Sequence, residues 1–189
     1  MPGRSGRLLQ ILRQDLERYR RGQRGLLRTA LEAVYCHPAY VGVVWYRSGH
    51  YFWQRRTNPV WALLLVINRV LYPLIRMYSL LELSPRTEIG PGLYIGRFGP
   101  TLINAGTRAG RNLTIVQNVV VGATDRGVPT FGDNVTIGAG AIVIGPVSVH
   151  DNVVIGAGSV VTRDVAEGLV VAGAPAVSTE IRRNSRQQQ

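Results

Sequence analysis

Arginine supplies all of the fixed positive charge in this chain. The 189 residues include 22 arginines and no lysine, against 11 acidic residues, which gives a formal net charge of +11. A guanidinium stays protonated at any relevant pH, so it can bind anionic groups but cannot act as a general base. The absence of lysine excludes a Schiff-base lysine and the phosphate-binding lysine of a P-loop.

Three of the ionisable residues fall in interruptions of a six-residue repeat. Arg97 lies in the first interruption, and Asp125 and Arg126 lie in the second. Loops that leave a rigid repeat are a common place for binding chemistry, and an arginine there can bind a carboxylate or a phosphate. Surface insertions without a role are the alternative.

The repeat predicts the elements that position these loops. A six-residue period fits neither an amphipathic helix nor a βαβ unit, but it is typical of a β-helix. Each hexad then gives one short strand and one turn, and three hexads close a triangular coil. Twelve positions define the period: Ile89, Ile95, Ile103, Ala109, Ile115, Val121, Phe131, Ile137, Val143, Val149, Ile155 and Val161.

The two interruptions are visible as longer steps of this period. The step that follows Ile95 spans eight residues, so about two extra residues bulge out near residues 97–100. The step that follows Val121 spans ten residues, so a loop of about four extra residues lies within residues 123–130.

Ahead of the repeat, apolar periodicity predicts four helices, at residues 7–22, 25–35, 39–55 and 60–81. The longest uninterrupted apolar stretch of the last one, residues 60–67, is far shorter than the ~20 residues that a membrane-spanning helix needs. We therefore expect residues 60–81 either to pack on neighbouring elements or to make a peripheral membrane contact, with the arginines at the headgroups.

The remaining composition limits the partners and the compartment. The arginine-rich ends lack an aromatic stacking platform and a reading motif, so we expect no nucleic-acid partner. Cys36 cannot form an internal disulfide, and its apolar neighbours predict a packed thiol. No signal peptide is visible, which predicts a cytoplasmic location. We divide the chain into a helical region (1–81), a β-helix domain (82–177) and a basic polar tail (178–189).

Several stretches over about residues 30–181 resemble the serine acetyltransferase branch of the hexapeptide-repeat acyltransferases. The likeness is greatest to the variants associated with bacterial polysaccharide and secondary-metabolite pathways. The stretches that carry it are Tyr46–Trp53, Ile89–Gly96, Asp125-Arg126 with Pro129, Ile137–Ala141, Ile155–Val161 and Val171–Ala176.

This resemblance implies a left-handed parallel β-helix behind a helical cap. It also implies a homotrimer or a dimer of trimers, with the active site in the groove between two subunits. The family transfers acetyl from acetyl-CoA to a hydroxyl, usually that of serine, and no metal is implied. Two histidines act in the family's active site: one is the base, and the other helps to bind the amino acid.

The chain departs from the family at both histidines. Arg97 stands at the position of the base, and Gly96 stands where the family usually has an aspartate before it. Gly127 stands at the position of the loop histidine. Of the remaining carboxylates, Asp125 and Glu82 lie nearest the implied pocket, and each could act as a base if desolvation raised its pKa. Arg97 and Arg126 could bind an anionic acceptor.

The three histidines of the chain fall elsewhere. His50 matches a structural histidine of the family's third helix, and His150 lies in a turn that we expect to be exposed. A related zinc-dependent carbonic-anhydrase branch needs three histidines on the coils, where only His150 lies, so that branch is excluded.

The side that faces CoA resembles the family more closely. Small residues would let pantetheine lie against the coil backbone, and the residues after them would meet the nucleotide end, where Arg163, Arg182 or Arg183 could bind phosphates. The implied cofactor residues are Gly122, Ala139, Ala157, Thr162, Arg163 and Pro175.

Three functions are compatible with these residues. The first is an acetyl-CoA-dependent O-acyltransferase that acts on a hydroxyl of a small or sugar-type acceptor through an atypical site. The second is a catalytically inactive trimeric homologue that serves as a scaffold or regulatory partner. The third is N-acylation of an amino sugar, whose deprotonated amine would need less help from a base.

Overall fold

The computed structural model describes residues 4–20, 25–96 and 99–178. Four helices come first: α1 (Arg4–Glu17), α2 (Leu26–Cys36), α3 (Pro38–Trp53) and α4 (Pro59–Ser79). Short strands follow: β1 (Leu81–Leu83), β2 (Glu88–Ile89), β3 (Tyr94–Ile95), β4 (Thr101–Ile103), β5 (Arg108–Ala109), β6 (Thr114–Ile115), β7 (Val120–Gly122), β8 (Thr130–Phe131), β9 (Thr136–Ile137), β10 (Ile142–Ile144), β11 (Ser148–Val149), β12 (Val154–Ile155), β13 (Val160–Val161), β14 (Val170–Ala172) and β15 (Val177–Ser178).

Every third strand pairs in parallel, so the chain winds as a three-sided coil. One side is the five-stranded sheet β1-β4-β7-β10-β13, the second is the four-stranded sheet β2-β5-β8-β11, and the third is the six-stranded sheet that ends at β14 and β15. Strand β15 turns back antiparallel to β14 and covers the last coil. The fold is the predicted left-handed parallel β-helix behind N-terminal helices.

The hexad positions form the core of the coil. All twelve lie in strands, and all are buried except Ala109, which is partly buried. Residues two positions earlier, such as Leu93, Val119 and Val135, are also fully buried. Aliphatic side chains from successive coils therefore stack into one continuous core, which confirms the prediction from the period.

The four predicted helices are present, with one informative difference. Helix α1 ends at Glu17 rather than near residue 22. Its chain turns there because Tyr19 reaches the first coil, where its phenol donates to the carbonyl of Ile95 at 3.1 Å and accepts from the amide of Ile95 at 3.0 Å.

Helix α4 has about the predicted length, but it is less covered than a helix that packs on neighbouring elements would be. It runs through Pro73 without a break over 21 residues, and its mean hydropathy of 1.6 makes it long and apolar enough to cross a membrane by length and composition alone. Only 6% of that apolar window is buried. The helix packs on α3 along one side, where Asn68 and Ser79 are buried, and the rest of its surface is open.

The helices cover the open edge of the first coil, β1 to β3, which has no preceding coil to pair with. One tyrosine reaches each strand of that coil, and each comes from a different helical segment. Tyr72 accepts from the amide of Leu83 at 3.2 Å, Tyr46 accepts from that of Ile89 at 3.3 Å, and Tyr19 binds Ile95 as described. These contacts satisfy backbone groups that burial would otherwise leave unpaired.

A buried ion pair completes this cover. Asp15 of α1 and Arg47 of α3 are 2.8 Å apart, with 0% and 3% of their side chains exposed. Asp15 accepts from the amides of Gly92 and Leu93, both at 2.8 Å, and Arg47 donates to the carbonyl of Gly90 at 2.7 Å. The pair thus joins two helices to one turn of the coil.

Cys36 is exposed, so the expectation of a packed thiol is wrong. It is the last residue of α2, whose outer side also exposes Leu31, Val34 and Tyr35. Apolar neighbours in the sequence therefore do not indicate burial here, because this side of the helix has no covering element among the described residues.

We expect Asp15→Asn to lower the free energy of unfolding by about 3–5 kcal/mol, because it leaves the buried Arg47 without a counter-charge. Glu17→Gln is the matched control, since Glu17 forms an exposed pair with Arg13 and should cost less than about 1 kcal/mol. Urea unfolding followed by circular dichroism measures both. Equal losses in the two variants would contradict the structural role of the buried pair.

Stability should also fall in alkaline solution. Burial raises the pKa of Tyr46 to about 12, whereas an unfolded tyrosine ionises near pH 10. Between these values the unfolded chain loses a proton that the folded chain keeps, so the free energy of unfolding declines as pH rises. In Tyr46→Phe this decline should be smaller, and urea titrations from about pH 8 to about pH 11.5 measure it. Identical slopes for the variant and the parent protein would refute the assignment.

Candidate functional site

The turns of the coil form three corners, and two of them hold the predicted site residues. We name as the small-residue corner the turns that follow the strands β3, β6, β9, β12 and β14 of the six-stranded sheet. Their described residues are 96, 99–100, 116–119, 138–141, 156–159 and 173–176. The first four turns lead to the five-stranded sheet, and the last leads to β15. We name as the loop corner the turns that lead on to the four-stranded sheet, at residues 84–87, 104–107, 123–129, 145–147 and 162–164. The two corners lie at opposite ends of the strands of the five-stranded sheet.

Ala139, Ala157 and Pro175 lie in successive turns of the small-residue corner. The turns are in direct contact, because the amide of Gly158 donates to the carbonyl of Ala139 at 2.8 Å. A Cβ on Gly138 would lie 2.5 Å from the amide nitrogen of Ala157, so only glycine allows this spacing. The backbones of neighbouring coils are therefore as close as a sheet permits.

The outer surface of the same corner carries no large side chain over these turns. A Cβ on Gly158 would meet no atom within 4 Å, and one on Gly140 would meet only the amide of Gly158, at 4.0 Å. A narrow strip of backbone and methyl groups thus runs parallel to the axis of the coil. Such a strip suits a thin, extended ligand that can exchange hydrogen bonds with backbone groups.

The described residues next to the first interruption, Gly96 and Gly99, belong to the small-residue corner. Gly96 is buried and Gly99 packs on the next turn, since a Cβ on Gly99 would lie 2.7 Å from Oδ1 of Asn118. Arg97 itself lies outside the described residues, as do Arg182 and Arg183.

The second interruption is a tight hairpin at the loop corner. The amide of Thr124 donates to the carbonyl of Gly127 at 2.9 Å, and the amide of Gly127 donates back at 3.1 Å. Asp125 and Arg126 lie at the exposed tip. Gly127 has φ +145°, a conformation that residues with a side chain rarely adopt. The family's loop histidine would therefore be strained at this position.

The other predicted cofactor residues also lie on the loop-corner side. Gly122 is the last residue of β7 and is in register with Ile144 of β10. Thr162 and Arg163 follow β13 and are exposed. They are separated from the small-residue corner by the width of the five-stranded sheet.

Glu82 lies on the outer face of that sheet, beside a cavity of about 440 Å³ below the end of α4. Pro100 of the first interruption and Asn118 of the next turn line the same cavity. The carboxylate of Glu82 is 3.1 Å from Nη1 of Arg76, and both side chains are about half exposed. Glu82 and the small-residue corner therefore face the same side of the molecule.

The outer face of the five-stranded sheet is apolar beyond Glu82. Leu102, Val120, Ile142 and Val160 follow it in register, and Ile144 lies beside them. Four of these aliphatic side chains, those of Leu102, Val120, Ile142 and Ile144, are exposed. The signal in the sequence is that β4, β7 and β10 are aliphatic at consecutive positions instead of alternating with polar residues.

One chain does not bring all the predicted site residues together. Four residue steps separate Val119 at one edge of the sheet from Ala123 at the other, which is roughly 13 Å of extended backbone. Asp125, Arg126 and Arg163 are thus on one side of the sheet, and Ala157 is on the other. The predicted site residues therefore form two groups within one chain, one at each corner.

The third corner, where the turns lead from the four-stranded to the six-stranded sheet, has a structural role that the sequence analysis did not predict. Asn112, Asn134 and Asn152 stack there with positive φ, and their side-chain amides bond from one coil to the next at 2.9 and 3.2 Å. His150 is exposed at this corner, as expected. His50 instead contacts the first coil, with Nδ1 2.9 Å from the carbonyl of Pro85. Within the described ranges no group of three or more His, Cys, Asp or Glu side chains could hold a metal.

Known proteins resemble this chain in sequence. Residues 129–163 match the family of bacterial transferase hexapeptides with six repeats. A serine acetyltransferase of Synechococcus elongatus is 36% identical over 152 residues, which are 78% of this chain and 59% of that protein. A serine acetyltransferase of Helicobacter pylori is 33% identical over 153 residues, which are 79% of this chain and 85% of that protein.

The solved structures agree in fold. A serine acetyltransferase in complex with CoA superposes with a TM-score of 0.76 at 24% identity, over 92% of this chain and 70% of that one. The chain spans about three fifths of the length of the Synechococcus relative and most of that of the Helicobacter relative.

We expect Gly127→Ala to reduce the free energy of unfolding by about 1–3 kcal/mol, because it places a side chain at φ +145° and 3.2 Å from Cβ of Pro146. Gly25→Ala is the matched control, since a Cβ there would meet nothing within 4 Å at an ordinary φ of −65°. Thermal and urea unfolding measure the difference. If Gly127→Ala were as stable as Gly25→Ala, the hairpin geometry described above would be wrong.

Proposed function

Because the chain belongs to the serine acetyltransferase family of hexapeptide-repeat transferases, we propose that it is an acetyl-CoA-dependent O-acyltransferase. Its acceptor in this proposal is a hydroxyl of a small or sugar-type molecule. The open strip of the small-residue corner is the observation that carries the proposal, because it offers a thin ligand a path along the coils beside the first interruption.

The chemistry of acetyl-CoA fits this strip. Pantetheine is a narrow chain with two amides, and a strip of exposed backbone beside methyl groups can bind such a chain along its length. Ala139 and Ala157 present only methyl groups there, and Pro175 lies at the end of the strip. Gly122, Thr162 and Arg163 lie on the other edge of the sheet, so in this proposal they contact a cofactor on a neighbouring copy.

The acceptor side is rich in groups that bind anions. Arg126 at the hairpin tip and Arg76 beside Glu82 are exposed, and Arg97 lies in the first interruption of the repeat. These residues favour an acceptor that carries a carboxylate or a phosphate next to its hydroxyl.

A carboxylate takes the place of the missing histidine base in this mechanism. Glu82 or Asp125 accepts the hydroxyl proton while the hydroxyl oxygen bonds to the acetyl carbon. The bond from that carbon to sulfur breaks, and the proton passes to the departing thiolate. Both carboxylates are exposed in the single chain, so the water exclusion that the step needs must come from an adjoining subunit or from the acceptor.

The exposed aliphatic face of the five-stranded sheet supports a closed homo-oligomer, which we infer to be a trimer or a dimer of trimers. Covering Leu102, Val120 and Ile142 with a second copy removes apolar area from water. The same contact would bring the loop corner of one copy to the small-residue corner of the next, in a head-to-tail interface that closes as a ring.

An inactive scaffold is the second candidate. Two observations favour it: neither corner carries a histidine, and both candidate bases are exposed to solvent in the single chain. N-acylation of an amino sugar is the third, because an amine that is already deprotonated needs little base catalysis.

Calorimetric titration with acetyl-CoA tests the proposal. We expect about one site per chain with micromolar affinity, and at least tenfold weaker binding in Ala157→Leu, whose side chain would fill the strip. Ala166→Leu is the matched control, because Ala166 is an exposed alanine at the third corner. Its affinity should be that of the parent protein.

The titration is followed by an assay of thiol release with serine, hydroxylated sugars and amino sugars as acceptors. Release that depends on a hydroxyl acceptor supports the O-acyltransferase. Release only with amino sugars selects N-acylation. A folded oligomer that binds no acetyl-CoA would refute the proposal and favour the scaffold.

A further inference from the structure

Helix α4 presents an uncovered apolar surface that the proposed acyl transfer does not use. Its exposed large side chains recur at intervals of three and four residues along the whole helix. We call this surface the α4 apolar face, and it consists of Val60, Leu63, Val66, Ile67, Val70, Leu71, Leu74 and Met77. Contiguous apolar surface of this extent on a soluble chain marks an interaction site.

The opposite side of α4 is fixed to the protein, so the helix can only lie along the surface. Asn68 is buried and donates to the carbonyl of Trp45 at 3.4 Å, while the indole of Trp45 donates to the carbonyl of Asn68 at 3.3 Å. The hydroxyl of Tyr72 accepts a hydrogen bond from the amide of Leu83 in β1. Crossing a bilayer would break these contacts, although α4 is long and apolar enough by composition.

The charges around the face are mainly positive, and Glu82, beyond the C-terminal end of α4, is paired with Arg76 at 3.1 Å. Between Glu32 and Glu82 the chain has no acidic residue and five arginines. Arg47 is used in the buried pair with Asp15, and the other four are Arg55, Arg56, Arg69 and Arg76. A partner for this surface must therefore supply the negative charge itself.

Aromatic rings stand beside these arginines where α3 turns into α4. The guanidinium of Arg55 lies 3.5 Å from the ring centre of Tyr51, and that of Arg56 lies 4.0 Å from that of Trp53. Trp61 packs edge-on to Tyr51. Tryptophan, tyrosine and arginine together are typical of the boundary between lipid headgroups and acyl chains.

A cavity of about 390 Å³ adjoins the face on the side of the first coil. Its lining includes Val66 and Val70 of the α4 apolar face and the two arginines Arg69 and Arg86. Arg86 lies 4.9 Å from the ring centre of Trp53. A cavity lined by aliphatic side chains and two arginines suits an anionic group attached to a hydrocarbon chain.

We propose that the α4 apolar face docks on a membrane that contains anionic lipids, with α4 lying in the plane of the interface. Its aliphatic side chains enter the boundary of the acyl chains, and Arg55, Arg56, Arg69 and Arg86 bind lipid phosphates. A second copy of the chain is a poorer occupant, because two such faces would bring arginines together and Glu82 is already paired with Arg76. The inference does not depend on the proposed acyl transfer.

Sedimentation of the full chain with vesicles tests it. We compare vesicles of phosphatidylcholine with vesicles that contain about one third phosphatidylglycerol, and we expect binding chiefly to the latter. Leu63→Gln/Val70→Gln places two amides on the α4 apolar face and should weaken this binding at least tenfold. Both residues are well exposed, so the variant should stay folded, which thermal unfolding checks.

Val154→Gln/Leu169→Gln is the matched control, since these exposed aliphatic residues lie on later coils. It should bind vesicles as the parent protein does. The fluorescence of Trp53 and Trp61 should shift to the blue on binding, and brominated lipids should quench it. Acetyl-CoA affinity of Leu63→Gln/Val70→Gln in solution should equal that of the parent protein, which separates this proposal from that of acyl transfer.

Three results would overturn the inference. One is the absence of binding to anionic vesicles. Another is equal binding by Leu63→Gln/Val70→Gln and its control, which would assign the contact to the arginine-rich ends of the chain. The third is a change of molecular mass in Leu63→Gln/Val70→Gln, which would make the α4 apolar face an interface between copies.

Discussion

The open edge of the first coil is the constraint on which the rest of this structure depends. In a solenoid each coil contacts only its neighbours, so the first one exposes unpaired backbone groups that invite fraying or aggregation. Here Tyr19, Tyr46 and Tyr72 each bind one of the three strands of that coil. Asp15 and Arg47 bind the turn between the second and third strands. The helices therefore cover the backbone edge that the first coil would otherwise expose.

The narrow coil also determines where the candidate site residues lie. Strands of two or three residues make a narrow sheet, and its two edges carry different chemistry. The small-residue corner offers exposed backbone, whereas the loop corner offers the charged hairpin with Asp125 and Arg126. The apolar face between them keeps the two apart in one chain, and we propose it as the surface through which a second copy joins them.

The helical cap has a second side that the coil does not use. Helix α4 is held to α3 and to β1 through Asn68 and Tyr72, which leaves its aliphatic stripe facing outward. A helix that only capped the coil would have a polar outer surface. The segment between Glu32 and Glu82 holds five arginines and no acidic residue, so the charge beside that surface is mainly positive, with Arg76 paired to Glu82.

The hexad period by itself determined the β-helix and both interruptions, because aliphatic side chains stack between adjacent coils and the spacing alone sets the register. The four helices also followed from local periodicity. Tertiary structure decided what local pattern does not encode. Asp15 meets Gly92 and Tyr19 meets Ile95 across more than seventy residues, and Cys36 and α4 are exposed because no described element covers them. The separation of the site residues likewise depends on which turns share a corner, which is a property of the wound coil.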